Sequence, residues 1–216
     1  MSSSARSCRV CAADTCTLFR EIGRLRYWRC GACAATLLDE AQLPTRSDER
    51  VRYESHKNDV NDARYRTFLA RLATPLLERL APLQHGLDFG CGPAPALALM
   101  LREAGHEMDT WDPFFHSDAL ALDRTYDFIT CTETAEHFHH PREEFDRLHT
   151  LLRPGGVLAL MTTFQTDDAR FDQWEYRRDP THVTFYTERT MRVIAAQRQW
   201  ACEIPAPNLV FMRRTV

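Results

Sequence analysis

The stretch that decides the fold is Leu87-Asp-Phe-Gly-Cys-Gly-Pro-Ala-Pro95. It follows a break at Gln84-His-Gly86 and runs into residues 96–104, which favour helix. Strand, glycine turn and helix in that order let backbone approach a ligand closely while a helix N-terminus offers unpaired N–H groups. Beyond the turn at Ala104-Gly105, residues 106–112 read as a second strand that ends in Asp112, 22 residues after Gly90. An acid at that strand tip is placed to take both hydroxyls of an adenosine ribose. Asp109, inside the strand, is the second choice.

Further along, Thr125-Tyr-Asp-Phe-Ile-Thr-Cys-Thr-Glu133 reads as another strand, followed by Thr134-Ala-Glu136-His137. If a helical turn starts at the strand tip, Glu133, Glu136 and His137 fall at i, i+3 and i+4 and share a face. Two carboxylates and an imidazole together are a donor set for a divalent cation. His139 and His140 read as loop, and Pro141 opens a helix to Leu152. Residues 164–186 are dense in Phe171, Trp174, Tyr176, Phe185 and Tyr186, with His182 among them, and read as an aromatic wall for an acceptor. His182 is the leading candidate for orienting or deprotonating it. Thr187 caps a helix to about Gln199, and residues 200–204 and 208–213 read as the closing strands. No catalytic serine, reactive cysteine or P-loop pattern occurs.

Working toward the N-terminus, the helical stripe of residues 62–80 is interrupted by Pro75. Residues 39–58 read as a polar linker around Pro44, with 52–59 able to fold over a ligand but read as solvated loop. Before it stand Cys8-Arg-Val-Cys11 and Cys30-Gly-Ala-Cys33, two Cys-x-x-Cys knuckles whose four thiolates can close a tetrahedral Zn²⁺ site. Residues 17–20 and 25–29 read as a hairpin around Gly23, giving a structural zinc ribbon. Cys16 then packs as a small apolar residue. Arg24, Arg26 and Arg29 are open to an anionic partner, a docking role ranked below that of a folding staple.

The 216 residues suffice for one full domain and a small appendage. The net charge is −3, and 26 of the 27 basic residues are arginine, Lys57 being the exception. No basic run exceeds a pair, so a nucleic-acid surface is possible but not demanded. No apolar run reaches the ~20 residues that cross a bilayer, and the start lacks a secretory core, so a reducing cytoplasm with no membrane partner is expected.

The motifs together resemble the class I S-adenosylmethionine-dependent methyltransferases over residues 60–200. Asp88, Gly90 and Gly92 match their acidic-x-Gly-x-Gly-x-Gly loop, with Ala94 replacing the third glycine. Residues 125–133 look like their fourth strand, and 151–160 look like the turn into their fifth. The resemblance implies an α/β Rossmann-like sheet with an antiparallel last strand, preceded here by the small zinc ribbon. Only fourteen residues separate Asp112 from Asp127, so the family's third strand is short or missing, and Asp118 becomes the candidate for the adenine amine. Domain bounds follow as 1–38 ribbon, 39–58 linker and 59–216 methyltransferase domain. Asp88, Gly90, Gly92, Asp112 and Glu133 are expected at the cofactor, and Glu133, His137 and His182 at the reaction. The Glu-x-x-Glu-His pattern is also similar to that of small-RNA 2′-O-methyltransferases and ubiquinone-pathway O-methyltransferases, which implies metal-assisted transfer with His182 as a fourth ligand. The expected function is methylation of a small metabolite's hydroxyl. The alternatives are a zinc-ribbon protein that methylates or binds RNA, and a non-catalytic cofactor binder.

Overall fold

The computed structural model of the chain describes residues 6–55 and 59–215. Two Cys-x-x-Cys turns flank a hairpin of β1 (Cys16–Ile22) and β2 (Leu25–Cys30), turned at Gly23 and followed by β3 (Thr36–Leu38). Next comes α1 (Arg46–Glu54), a helix inside the segment expected to be a solvated linker. Thr45 and Asp48 form a reciprocal capping box at its start, which satisfies two otherwise orphaned N–H groups. Then α2 (Ala63–Leu77) starts on an Asp62 cap and carries Pro75 in its last turn, where proline has no N–H to give to the Arg71 carbonyl.

The α/β unit follows: β4 (His85–Phe89), α3 (Ala96–Glu103), β5 (Glu107–Trp111), β6 (Tyr126–Thr132), α4 (Pro141–Leu151) and β7 (Leu152–Met161). The short α5 (Glu175–Arg178), β8 (Thr184–Phe185), α6 (Glu188–Gln197), β9 (Trp200–Ala206) and β10 (Leu209–Arg214) complete it. The main sheet runs β5-β4-β6-β7-β10-β9, with the first four strands parallel and β10 antiparallel to both neighbours. Between β5 and β6 the described residues hold only a bridged turn, Asp112 to His116, and a 3-10 turn at Ala119–Leu122. β5 is therefore the sheet edge, and no third strand stands beyond it. The parallel pairing of these strands puts the loops after β4, β5 and β6 on one sheet end, where ligands bind in such folds.

The N-terminal hairpin is not an appendage. Its sheet, β1-β2-β3-β8, takes its last strand from just beyond His182, through Leu37 opposite Thr184. Its cysteines and Val10 share one apolar cluster with Leu87, Phe89, Phe145, Met191 and Ile194 of the main domain. Thr190 and Gln197 of α6 donate to the Cys33 and Cys11 carbonyls at 2.9 Å each. The aromatic stretch expected to line an acceptor pocket instead packs Phe171 and Phe185 against Tyr27 and Leu38 of the hairpin. Apolar rings beside an otherwise thin three-stranded sheet bury more surface there than at an open cavity.

Candidate active site

A cavity of about 840 Å³ opens where the glycine loop, the tip of β5 and the tip of β6 meet. Gly90 and Gly92 have φ of +75° and +64°, in the left-handed region. A Cβ on Gly90 would lie 2.1 Å from the Thr134 side chain, whereas one on Gly92 would meet nothing within 4 Å, leaving that backbone open. The Gly90 and Cys91 N–H groups donate to the Trp111 carbonyl at 2.8 and 3.2 Å, tying the loop to β5. Asp112 faces the loop: one oxygen accepts from the Gly92 N–H at 3.0 Å, the other from Phe114 and Phe115 at 2.8 and 3.1 Å.

Three acids considered for the cofactor lie elsewhere. Asp88 does not line the cavity; it is buried beneath the loop, where the Thr130 hydroxyl donates to it at 2.7 Å and burial pushes its carboxyl up to about 6. Strand alternation explains this, since Phe89 turns toward the cavity and Asp88 toward the opposite face. Asp118 caps the 119–122 turn by accepting from the Leu120 N–H at 2.9 Å, and it too is outside the cavity. Asp109, the second choice for ribose, pairs with Tyr126, Arg124 and His85.

At the tip of β6 the helical face expected for Glu133, Glu136 and His137 does not form. Glu133 takes φ +48°, and a 3-10 turn starts only at Ala135, so Glu133 falls out of phase. The donor atoms that converge, within 4.8 Å of one another, belong to Glu136, His137 and His182. Glu133 still lines the cavity; burial, and then the Glu136 charge, push its carboxyl up to about 8. Glu136 is fully buried. Its Oε2 accepts from the Thr162 hydroxyl at 2.8 Å, while Oε1 has no hydrogen-bond partner and lies 4.0 Å from His182 Nε2. His182 Nδ1 donates to the Tyr176 carbonyl at 2.6 Å, and His137 Nδ1 to the Thr181 carbonyl at 2.9 Å. Protons held on both Nδ1 atoms put the ring lone pairs on Nε2. Burial lowers the His182 pKa and keeps that ring neutral.

The wall opposite comes from α1, which sequence reasoning passed over. Glu49 and Tyr53 line the cavity beside Pro44 and Arg46. Tyr53 meets Phe114 and His137 edge-on at 5.2 Å between ring centres. Glu49 accepts from His139 Nε2 at 3.0 Å, so His139 and His140 are cavity residues too. Arg52 clamps the helix to Asp179 through two N–H groups at 2.9 and 2.7 Å, and Asp179 in turn accepts from Thr181. Burial would raise the Asp179 carboxyl, but Arg52 and Thr181 outweigh it and hold it well below the usual range. The available signal was Thr45-x-x-Asp48, a helix start inside a polar stretch.

A second convergence lies away from the cavity. Cys8, Cys11, Cys30 and Cys33 are all buried, with sulfurs within 4.8 Å of one another. The two knuckles repeat the same turn: Ala12 and Ala34, each one residue past its second cysteine, sit at φ +64° and +63°. The Val10 and Cys33 N–H groups donate to the Cys8 and Cys30 sulfurs at 3.4 Å each. Hydrogen bonds from Cys16 and Cys33 pull the Cys8 thiol pKa far down, toward thiolate. Arg26 and Arg29, expected as docking groups, pair with Asp39 at 3.3 Å and Asp168 at 2.6 Å.

A family model described as a methyltransferase domain matches residues 61–203. The ubiquinone biosynthesis O-methyltransferase of Azotobacter vinelandii is 30% identical over 76 residues, 35% of this chain and 33% of that one. Its counterpart from Colwellia psychrerythraea is 29% identical over 86 residues, 40% of this chain and 35% of that one. The chain thus spans about a third of the length of these curated relatives. Among solved structures, 1,6-didemethyltoxoflavin-N1-methyltransferase of Burkholderia thailandensis, bound to 1,6-didemethyltoxoflavin and S-adenosylhomocysteine, superposes with a TM-score of 0.57. It shares 16% identity, covering 94% of this chain and all of that one. Magnesium protoporphyrin IX methyltransferase of Synechocystis PCC 6803, bound to S-adenosylmethionine, gives 0.51 at 16% identity, covering 79% and 92%. At such identities the likeness establishes a Rossmann-like α/β fold. No helix among the described residues is long and apolar enough to cross a membrane.

Proposed function

The chain belongs to the methyltransferase-domain family, and from that premise we propose that it transfers the methyl group of S-adenosylmethionine to a hydroxyl of a small metabolite, assisted by a divalent cation. The observation that carries the cation is the orphaned Oε1 of Glu136. A fully buried carboxylate oxygen without a partner is costly. Here it faces two imidazoles anchored through Nδ1 to backbone carbonyls, the arrangement that orients ligating histidines. Glu136, His137 and His182 would hold the cation, with Glu133 at the rim. A cation there would act as a Lewis acid and lower the pKa of an acceptor hydroxyl.

The glycine loop fits the cofactor. The open backbone at Gly92 admits a ligand, and Asp112, at the strand tip, has carboxylate lone pairs facing that space for ribose hydroxyls. Asp88 acts by supporting the loop from below. The remaining work of this chain is positional: α1 covers the acceptor side, and Glu49, Tyr53 and His139 bound it so that nucleophile and methyl donor meet in line in a dry site. With its Nδ1 proton on the Tyr176 carbonyl, His182 has only the Nε2 lone pair left, and that is the one a cation would take.

The four buried cysteines are assigned to a structural Zn²⁺, since a closed tetrathiolate set leaves no open coordination position. The activity test is incubation with methyl-labelled S-adenosylmethionine and fractionated small molecules, before and after chelation and with Mg²⁺, Mn²⁺ or Co²⁺ restored. Label is expected in an organic-soluble or polar metabolite fraction and is expected to vanish on chelation. Label entering RNA instead, or full turnover with the cavity metal removed and zinc retained, defeats the respective half of the reading.

A further inference from the structure

β5 is the outer strand of the main sheet, so no third strand stands beyond it to meet the far edge of an adenine, and Asp118 is turned away as a cap. Among the described residues, the acids that line the cavity are Glu49, Asp112, Glu133, Glu136 and Glu144. Glu133 and Glu136 belong to the reaction floor, and Glu49, on α1, belongs to the acceptor wall, where it accepts from His139. Glu144 is left. It stands three residues after Pro141 and four before Leu148, both buried, so the helix phase turns it inward while Glu143 next to it is exposed. Its Oε2 accepts from Arg147 at 2.7 Å, and the Arg147 guanidinium lies 6.0 Å from the centre of the Trp111 ring. Trp111 stacks on Phe89 with ring centres 4.6 Å apart and immediately precedes Asp112. A flat aromatic wall and a carboxylate thus line the same cavity as the ribose acid.

Resting on the S-adenosylmethionine reading of the cavity, we propose that Glu144 of α4 takes over the adenine contact, accepting a hydrogen bond from the exocyclic 6-amine beside Trp111. The contact that a third strand would carry is thereby assigned to the first turn of α4. A carboxylate accepts only, so it favours the 6-amine of adenine, a donor, and rejects the 6-carbonyl of hypoxanthine, an acceptor.

The test is calorimetric binding of S-adenosylhomocysteine and S-inosylhomocysteine to the full-length protein and to Glu144→Gln. Wild type is expected to prefer the adenine ligand by about tenfold or more. In Glu144→Gln, whose amide can donate or accept, the preference is expected to fall to within about twofold while the melting temperature stays the same. Wild type that binds both equally, or a preference unchanged by the substitution, overturns the assignment and leaves Glu144–Arg147 a surface ion pair. Wild type that binds neither ligand overturns this inference together with the cofactor reading beneath it.

Discussion

The four-cysteine centre and the Glu136–His137–His182 cluster bring donor atoms equally close, within 4.8 Å in each case, yet they differ in every other respect. The first is all sulfur, drawn from residues 8–33, sealed between the hairpin and α6, and none of its cysteines lines the cavity. The second mixes oxygen and nitrogen, joins the loop after β6 to the segment before β8, and has the cavity on one side. Convergence alone therefore does not separate structure from chemistry. What separates them is whether the donor set is closed and whether a ligand can reach it.

The largest expected effect breaks the first region. Cys33→Ser should drop zinc below one equivalent and cost on the order of 5 kcal/mol, roughly 10–20 °C in melting temperature. Metal analysis and a thermal melt check this; a full melt with no metal would make the cysteines ordinary core. Glu136→Gln addresses the second region. It keeps the Thr162 bond but removes the buried charge, so turnover should fall about 10²- to 10³-fold while stability holds or rises. If stability collapses and the residual folded enzyme turns over normally, the cluster is structural after all.

Asp88→Asn sharpens the contrast, because Asp88 is a buried acid beside the cavity yet not in it. Its carboxyl is pushed up to about 6 by burial, so the native state binds more protons than the unfolded state between about pH 4 and 6. Stability contributed by that group is thus present at low pH and lost as pH rises through 6, by up to roughly 3 kcal/mol. Denaturation at pH 4.5 and 7 should show the variant gaining on wild type at the higher pH. The smallest effect is expected for Arg52→Ala, which releases α1 from Asp179: the acceptor KM should rise about tenfold with kcat within about twofold, read from steady-state kinetics. An unchanged KM would remove α1 from the acceptor wall.

The parallel sheet, the glycine turn and the absent third strand were legible because they depend on local pattern: strand, turn and acid at regular intervals. Both cysteine knuckles were legible for the same reason. The site was legible only in part. The convergence of Glu136, His137 and His182 was legible, but the phase assigned to Glu133 assumed an α-turn that its left-handed φ prevents. Asp88 was misplaced because a motif match says which strand carries a residue, not which face it takes. The aromatic stretch was misassigned because its partner, Tyr27, lies in a segment read as independent. Glu49 was missed, and Tyr53 fell in a stretch read as solvated loop, because a short polar helix carries little apolar periodicity and draws its stability from tertiary contacts.

β8 has a consequence for how the chain is made. The hairpin leaves the ribosome well before the strand that completes its sheet: Thr184 and Phe185 emerge roughly 7 to 30 s after Leu38 at ordinary rates of translation. During that interval its apolar edge has no native neighbour. The four cysteines, by contrast, are all synthesised by residue 33, so a zinc ion captured early would hold the nascent hairpin in register while the strand that carries His182 into place is still being made.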